Sequence, residues 1–132
     1  MTKIYLAGKI GGQRKLAENW RRCLIEKYGK RYTFLNPLER DNGRESTPEE
    51  FQTKVDGDKK EIEQSKIVVV YINEGPSWGT AMEIMYAFIK RKAIFVVSRE
   101  KQKSPWVLCH VTKIFKTFNE CFKFIDEFYG GD

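Results

Sequence analysis

Apolar positions along the chain fall into short blocks that alternate between two periods. Residues 3–8 (Lys-Ile-Tyr-Leu-Ala-Gly) are an apolar run closed by glycine, which predicts a buried strand. From Gln13 to about Tyr28, the residues Leu16, Trp20, Cys23, Leu24 and Tyr28 recur mostly at three- and four-residue steps. That spacing predicts an amphipathic helix, stopped by Gly29. Residues 32–35 predict a second strand ending at Asn36-Pro37, and the polar stretch 37–46, with its Asp-Asn-Gly, a loop. Thr47-Pro48-Glu49-Glu50 combines a cap, a first-turn proline and a glutamate three residues after the cap, and starts a helix running to about Gln64. Residues 67–72 (Ile-Val-Val-Val-Tyr-Ile) are continuously apolar, as in the centre of a parallel sheet. Residues 73–78 predict a loop, and Gly79 to about Lys90 a helix bearing Met82, Met85, Tyr86 and Ile89. Residues 93–97 predict a fourth strand, 98–106 a charged loop, and 113–115 a short edge strand. A last helix over 117–129 would turn Phe118, Cys121, Phe122, Ile125 and Phe128 inward, ahead of a Gly130-Gly131-Asp132 tail.

Strand and helix alternating in this way predict βαβ crossovers, hence an α/β fold with a parallel sheet of four to five strands and helices on both faces. The 132 residues carry no repeat or linker and are read as one domain, 1–132. Hydrophobic residues at 41% and aromatics at 14% suffice for one core and exclude disorder. No apolar run approaches the ~20 residues that cross a bilayer, and the first residues read as a strand instead of a secretion leader. A cytoplasmic protein with no membrane partner is expected. The net charge of +6 favours an anionic small-molecule ligand. The basic residues are scattered, however, with no stripe interleaved with aromatics, so no nucleic-acid partner is expected. Cys23, Cys109 and Cys121 have no CxxC spacing and His110 is the single histidine, so neither a metal site nor a disulfide is expected.

In parallel α/β sheets, ligands sit beyond the carboxyl ends of the strands. Three loops would lie there, at 8–14, 36–46 and 73–80. The first, Gly8-Lys9-Ile10-Gly11-Gly12-Gln13-Arg14, could bring backbone amides to an anion or be a plain turn. It matches neither GxGxxG nor the Walker pattern. In the third, Thr80-x-x-Glu83 reads first as a capping box, with a carboxylate nucleophile held at the sheet edge as the alternative. Asp58 shares a helix side with Ile62 and Ser65. It would either face a cleft or be a solvated charge among Lys54, Lys59 and Lys60.

Taken together, the pieces resemble the nucleoside 2-deoxyribosyltransferase family, which includes the related 2-deoxynucleoside 5′-monophosphate N-hydrolases. The resemblance spans nearly the whole chain. It rests on Lys3-Ile4-Tyr5-Leu6-Ala7-Gly8, Asn36-Pro37-Leu38, Asp58-x-x-x-Ile62-x-x-Ser65 before Ile67, Pro76-Ser77-Trp78-Gly79-Thr80-x-x-Glu83-x-x-Tyr86-Ala87, and Ser104-Pro105-Trp106. It implies a flavodoxin-like sheet and cleavage of the N-glycosidic bond of 2′-deoxynucleosides. Glu83 would be the nucleophile, Asp58 the acid and base toward the nucleobases, and Tyr5 the residue orienting Glu83. Asp41 would recognise the base, and Gly8, Gly12 and Gly79 would lie against substrate. No cofactor is implied. A homodimer or larger homo-oligomer with shared sites is, with Ser104 near the neighbouring subunit.

Two activities fit this resemblance. A transferase would pass deoxyribose to another free base. A hydrolase would take 5′-monophosphates to free base and deoxyribose 5-phosphate. Serine at 77, where some transferases carry an acid, resembles the hydrolase, with Lys9, Arg14 and Ser77 as a phosphate cradle. The transferase is the first expectation. A nucleotide-binding module with an inactive site is the reading from another class.

Overall fold

The apolar blocks become strands wherever both of their faces can be covered. The computed structural model describes residues 1–75 and 77–130. The elements follow in order as β1 (Lys3–Gly8), α1 (Arg14–Tyr28), β2 (Thr33–Leu35), a 3-10 turn (Pro37–Glu39), α2 (Pro48–Gln64), β3 (Ile67–Tyr71), α3 (Trp78–Ile89), β4 (Ala93–Val97), α4 (Pro105–His110), β5 (Lys113–Phe115) and α5 (Phe118–Tyr129). The five strands are all parallel, in the order β2-β1-β3-β4-β5. This is the flavodoxin-like order, in which the chain reverses direction of travel between β1 and β3.

Alternate side chains of each central strand serve opposite faces. Ile4, Leu6, Ile67, Val69, Phe95 and Val97 pack with Trp20, Leu24 and Tyr28 of α1 and Cys121, Phe122 and Ile125 of α5. Tyr5, Ala7, Val68, Val70, Ile94 and Val96 meet Ile62 of α2 and Ile84 and Ala87 of α3. Gly8 ends β1 where space is shortest. A Cβ there would stand 2.9 Å from the Trp20 ring and 3.1 Å from the Tyr71 carbonyl oxygen.

Several expectations change. Residues 105–110 form α4, begun by a proline at its first turn, where a charged loop was predicted. Phe128 is exposed rather than turned inward, and of the spaced positions of α1 Leu16 and Cys23 are exposed. The capping box predicted at Thr80 and Glu83 is absent. Ser77 caps α3 instead, its hydroxyl accepting from the Thr80 amide at 3.2 Å. Glu83 thereby falls in the second turn and is free of any capping role. The box predicted at Thr47 and Glu50 does form. The tail residues 131–132 lie outside the described residues. No helix among the described residues is long and apolar enough to cross a membrane.

Candidate active site

The switch point between β1 and β3 opens into a cavity of about 560 Å³, bounded by the loop after β1, α2 and α3. That volume suits a nucleoside-sized ligand. Gly8, Ile10 and Gly11 form one edge, and Val55, Met82, Met85 and Ile89 supply an apolar wall. Glu83 and Asp58, brought from α3 and α2, both line it.

Glu83 reaches back to the sheet, where the Tyr5 hydroxyl donates to its Oε2. Tyr5 is fully buried on β1, so this bond crosses the core face instead of the surface. Burial, and then the negative charge of Glu83, hold the Tyr5 phenol far above its ordinary range. Tyr5 is therefore a donor at every working pH. One carboxylate oxygen of Glu83 is thus engaged, and the other is the atom to which a new bond could form. Burial pushes the Glu83 carboxyl up to about 7, with Asp58's charge adding to the rise and Tyr5's bond opposing it.

This shift has a stability consequence. The folded value, about 7, lies above the ordinary 4.5. The group's contribution to folding is fully present below about 4.5 and is lost as pH rises through about 7. Above that range the ionised carboxylate costs on the order of 3 kcal/mol. Glu83→Gln keeps an acceptor for Tyr5 and removes the charge. In urea titrations, this variant is expected to exceed the wild type in stability by up to that amount at pH 8 and to match it near pH 4. Equal stability at both pH values would contradict the assignment of a strained charge to Glu83.

Asp58 is partly buried, and its Oδ1 accepts from Arg40 Nη2 at 3.0 Å. Burial raises its carboxyl above the ordinary value, with Arg40 acting against the rise. Beneath the cavity lies Arg21, wholly buried, which donates to the carbonyls of Ala17 and Gly8, each at 3.1 Å, and packs on the Trp20 ring. Burial lowers its guanidinium to about 10, while Glu83, Tyr5 and the aspartates pull the other way. It remains a cation at neutral pH, balancing the two carboxylates.

The structure gathers Glu83, Asp58, Gly8, Ser77 and Gly79 at this cavity, with Tyr5 behind Glu83. Lys9, Gly12, Arg14, Asp41 and Ser104 do not line it. The expected cradle of Lys9, Arg14 and Ser77 is not assembled. Arg14 instead binds Asp41, through Nη1 to Oδ1 at 3.2 Å and through Nη2 to the carbonyl. Asp41 is itself buried, holding Lys54 Nζ at 2.6 Å and the Gly43 amide at 2.9 Å. Burial alone would raise its carboxyl, but Lys54, the Gly43 amide and Arg14 hold it below its ordinary value. An aspartate so engaged fastens a loop. Ser104 is exposed at the start of α4. Among the described residues no group of three or more His, Cys, Asp or Glu could hold a metal ion.

Arg21, Arg40 and Lys54 were not anticipated from the sequence. Arg21 had a signal: it continues the Ala17, Trp20, Leu24, Tyr28 stripe, a charge at a core position.

Fold and cavity together define a doubly wound α/β protein whose pocket, at the switch point of its sheet, holds two carboxylates among three cations. The family model described as "Nucleoside 2-deoxyribosyltransferase like" matches residues 1–101, and the chain belongs to that family, whose enzymes act on N-glycosidic bonds. No curated protein matches it in sequence. Among solved structures it is similar to the 2-deoxyribosyltransferase of Bacillus psychrosaccharolyticus (20% identity, TM-score 0.75, covering 91% of this chain and 90% of that one). It is also similar to the 2-desoxiribosyltransferase of Leishmania mexicana (18%, TM-score 0.73, 98% and 99%). A third is the CMP N-glycosidase of Clostridium botulinum (16%, TM-score 0.58, 96% and 100%). At these identities the likeness is one of fold.

Proposed function

We propose that the protein is a nucleoside 2-deoxyribosyltransferase acting on 2′-deoxynucleosides. The observation that carries this reading is the Glu83–Tyr5 pair opening on the same cavity as Asp58. The free oxygen of Glu83 attacks C1′ of the sugar. The C–N bond breaks, its electron pair goes to the departing base, and Asp58 gives that base a proton. The product is a glycosyl ester of Glu83. An incoming base then attacks C1′, gives its proton to Asp58 and displaces Glu83. Two inversions return the original configuration. The apolar wall of Val55, Met82, Met85 and Ile89 suits a nucleobase and leaves water few partners.

Product chromatography tests this. The protein is incubated with deoxycytidine or deoxyinosine, and separately with their 5′-monophosphates, with and without free adenine. A new deoxynucleoside that forms only with adenine supports the transferase. Binding without any product would overturn both it and the hydrolase.

One observation favours the hydrolase as a second reading. Ser77 lines the cavity at the N-cap of α3, a helix with no acidic residue in its first turn. A 5′-phosphate meets no like charge there, and helix N-termini attract anions. Ser77→Asp preserves the cap, since aspartate is as good a cap as serine. If a phosphate binds there, this variant is expected to lose roughly tenfold or more in kcat/KM on a monophosphate and little on the nucleoside. Equal loss on both would remove Ser77 from phosphate binding.

A further inference from the structure

Gly57 lies in the middle of α2, where glycine costs a helix about 1 kcal/mol relative to alanine. The cause of its presence is visible on the side of that helix that meets the 3-10 turn. Arg40, from the end of the 3-10 turn after β2, lies across it so closely that a Cβ on Gly57 would stand 2.9 Å from the guanidinium carbon. From this seat one nitrogen, Nη2, donates to Asp58 Oδ1 at 3.0 Å and to Glu61 Oε1 at 2.7 Å. Nη1 donates to the Lys54 carbonyl at 3.4 Å. Asp58 lines the cavity, whereas Arg40 does not.

We propose that Arg40 is a positioning residue, seated on Gly57, that fixes the Asp58 carboxylate at the cavity wall for proton transfer. Among the described residues the hydrogen bond to Asp58 falls on Oδ1, so the carboxyl exchanges its proton through the other oxygen. The inference rests on the reading of Asp58 as acid and base. Glu61, sharing Arg40, keeps the guanidinium from swinging toward the cavity and competing with substrate. The charged and titratable groups around Asp58 are Arg40 from the turn, Lys54 and Glu61 from α2, Glu83 from α3, Tyr5 from β1 and Arg21 from α1. Arg40 is the strongest of those that favour the ionised form. Its loss therefore moves Asp58's titration to higher pH.

The test uses the full chain and whichever deoxynucleoside or monophosphate it turns over. Base release is followed against pH for wild type, Arg40→Gln, Arg40→Lys, Gly57→Ala, Asp58→Asn and the Arg40→Gln/Asp58→Asn double variant. Arg40→Gln and Gly57→Ala, which disturb the same seat from opposite sides, are expected to lower kcat by roughly tenfold to a hundredfold. Both should also move the limb that Asp58→Asn removes upward by about one pH unit. Arg40→Lys restores part of the rate, and Arg40→Gln adds nothing in the Asp58→Asn background. On an N7-methylated deoxyguanosine, whose base departs without a proton, the Arg40→Gln loss should vanish. An unmoved limb in Arg40→Gln and Gly57→Ala overturns the inference. So does the same loss with and without Asp58, because that is the behaviour of a purely structural arginine. If Asp58→Asn itself keeps the wild-type rate and profile, the acid–base reading fails first, and the inference fails with it.

Discussion

Glu83→Ala is expected to fold and to lose turnover, with kcat falling on the order of 10,000-fold or more. Asp58, which also lines the cavity, has its free oxygen committed to the proton of the base and cannot serve as nucleophile as well. Asp58 is held by Arg40, and the Tyr5 hydroxyl is kept protonated by its burial. Removing a nucleophile removes a covalent pathway and leaves only what binding and orientation supply. The fold tolerates the change because the ionised side chain opposes folding above pH 7. The check is twofold. Steady-state rates should collapse. Intact-mass measurement of the wild type, quenched during turnover without acceptor base, should show the added mass of one deoxyribosyl group, and the variant should not. Turnover within tenfold of wild type, or a mass adduct on the variant, would remove Glu83 from the nucleophile's place.

Asp58→Asn carries the second largest effect, expected at about a hundredfold to ten-thousandfold on kcat, the range for removing a general acid. Asparagine is nearly isosteric and still accepts from Arg40 through its carbonyl, so geometry survives while the transferable proton is lost. The sign in pH follows from burial, which raises the Asp58 carboxyl. As the acid it must be protonated, so activity falls as pH climbs through its titration. That decline should be missing from the variant. The loss should also shrink as the departing base becomes a better leaving group. A uniform loss across bases of different basicity, with the alkaline decline intact, would mean that another group delivers the proton.

The sheet was legible because its strands, above all Ile67–Tyr71 and Ala93–Val97, are apolar on both faces, and the intervening stripes at helical spacing have nowhere else to pack. The short α4 was not, since six residues beginning at Pro105 carry too little periodicity to separate them from a loop. The cap of α3 went to Ser77 for a nonlocal reason. Thr80 and Glu83 satisfy the local box pattern, but Glu83 is bound to Tyr5, 78 positions away in sequence. Local spacing cannot register such a partner. The same holds for Arg14 with Asp41 and for Arg40 with Asp58, pairs that join different elements once the chain has folded. Arg21 was visible in principle, as a cation on an apolar stripe, and its meaning depends on the strand end it comes to serve.

The loop after β2 is fastened at its near end. Arg40 is bound to α2, and Asp41 is tied to both α1 and α2 by Arg14 and Lys54. The next residues, 42–44, are exposed. Such an arrangement separates fixed mechanics from free variation. Substitutions and insertions beyond the tether can be sampled without carrying disturbance to the carboxylates across the cavity. The tethered loop thus gives the scaffold a place to drift toward new ligands while its reactive centre stays put.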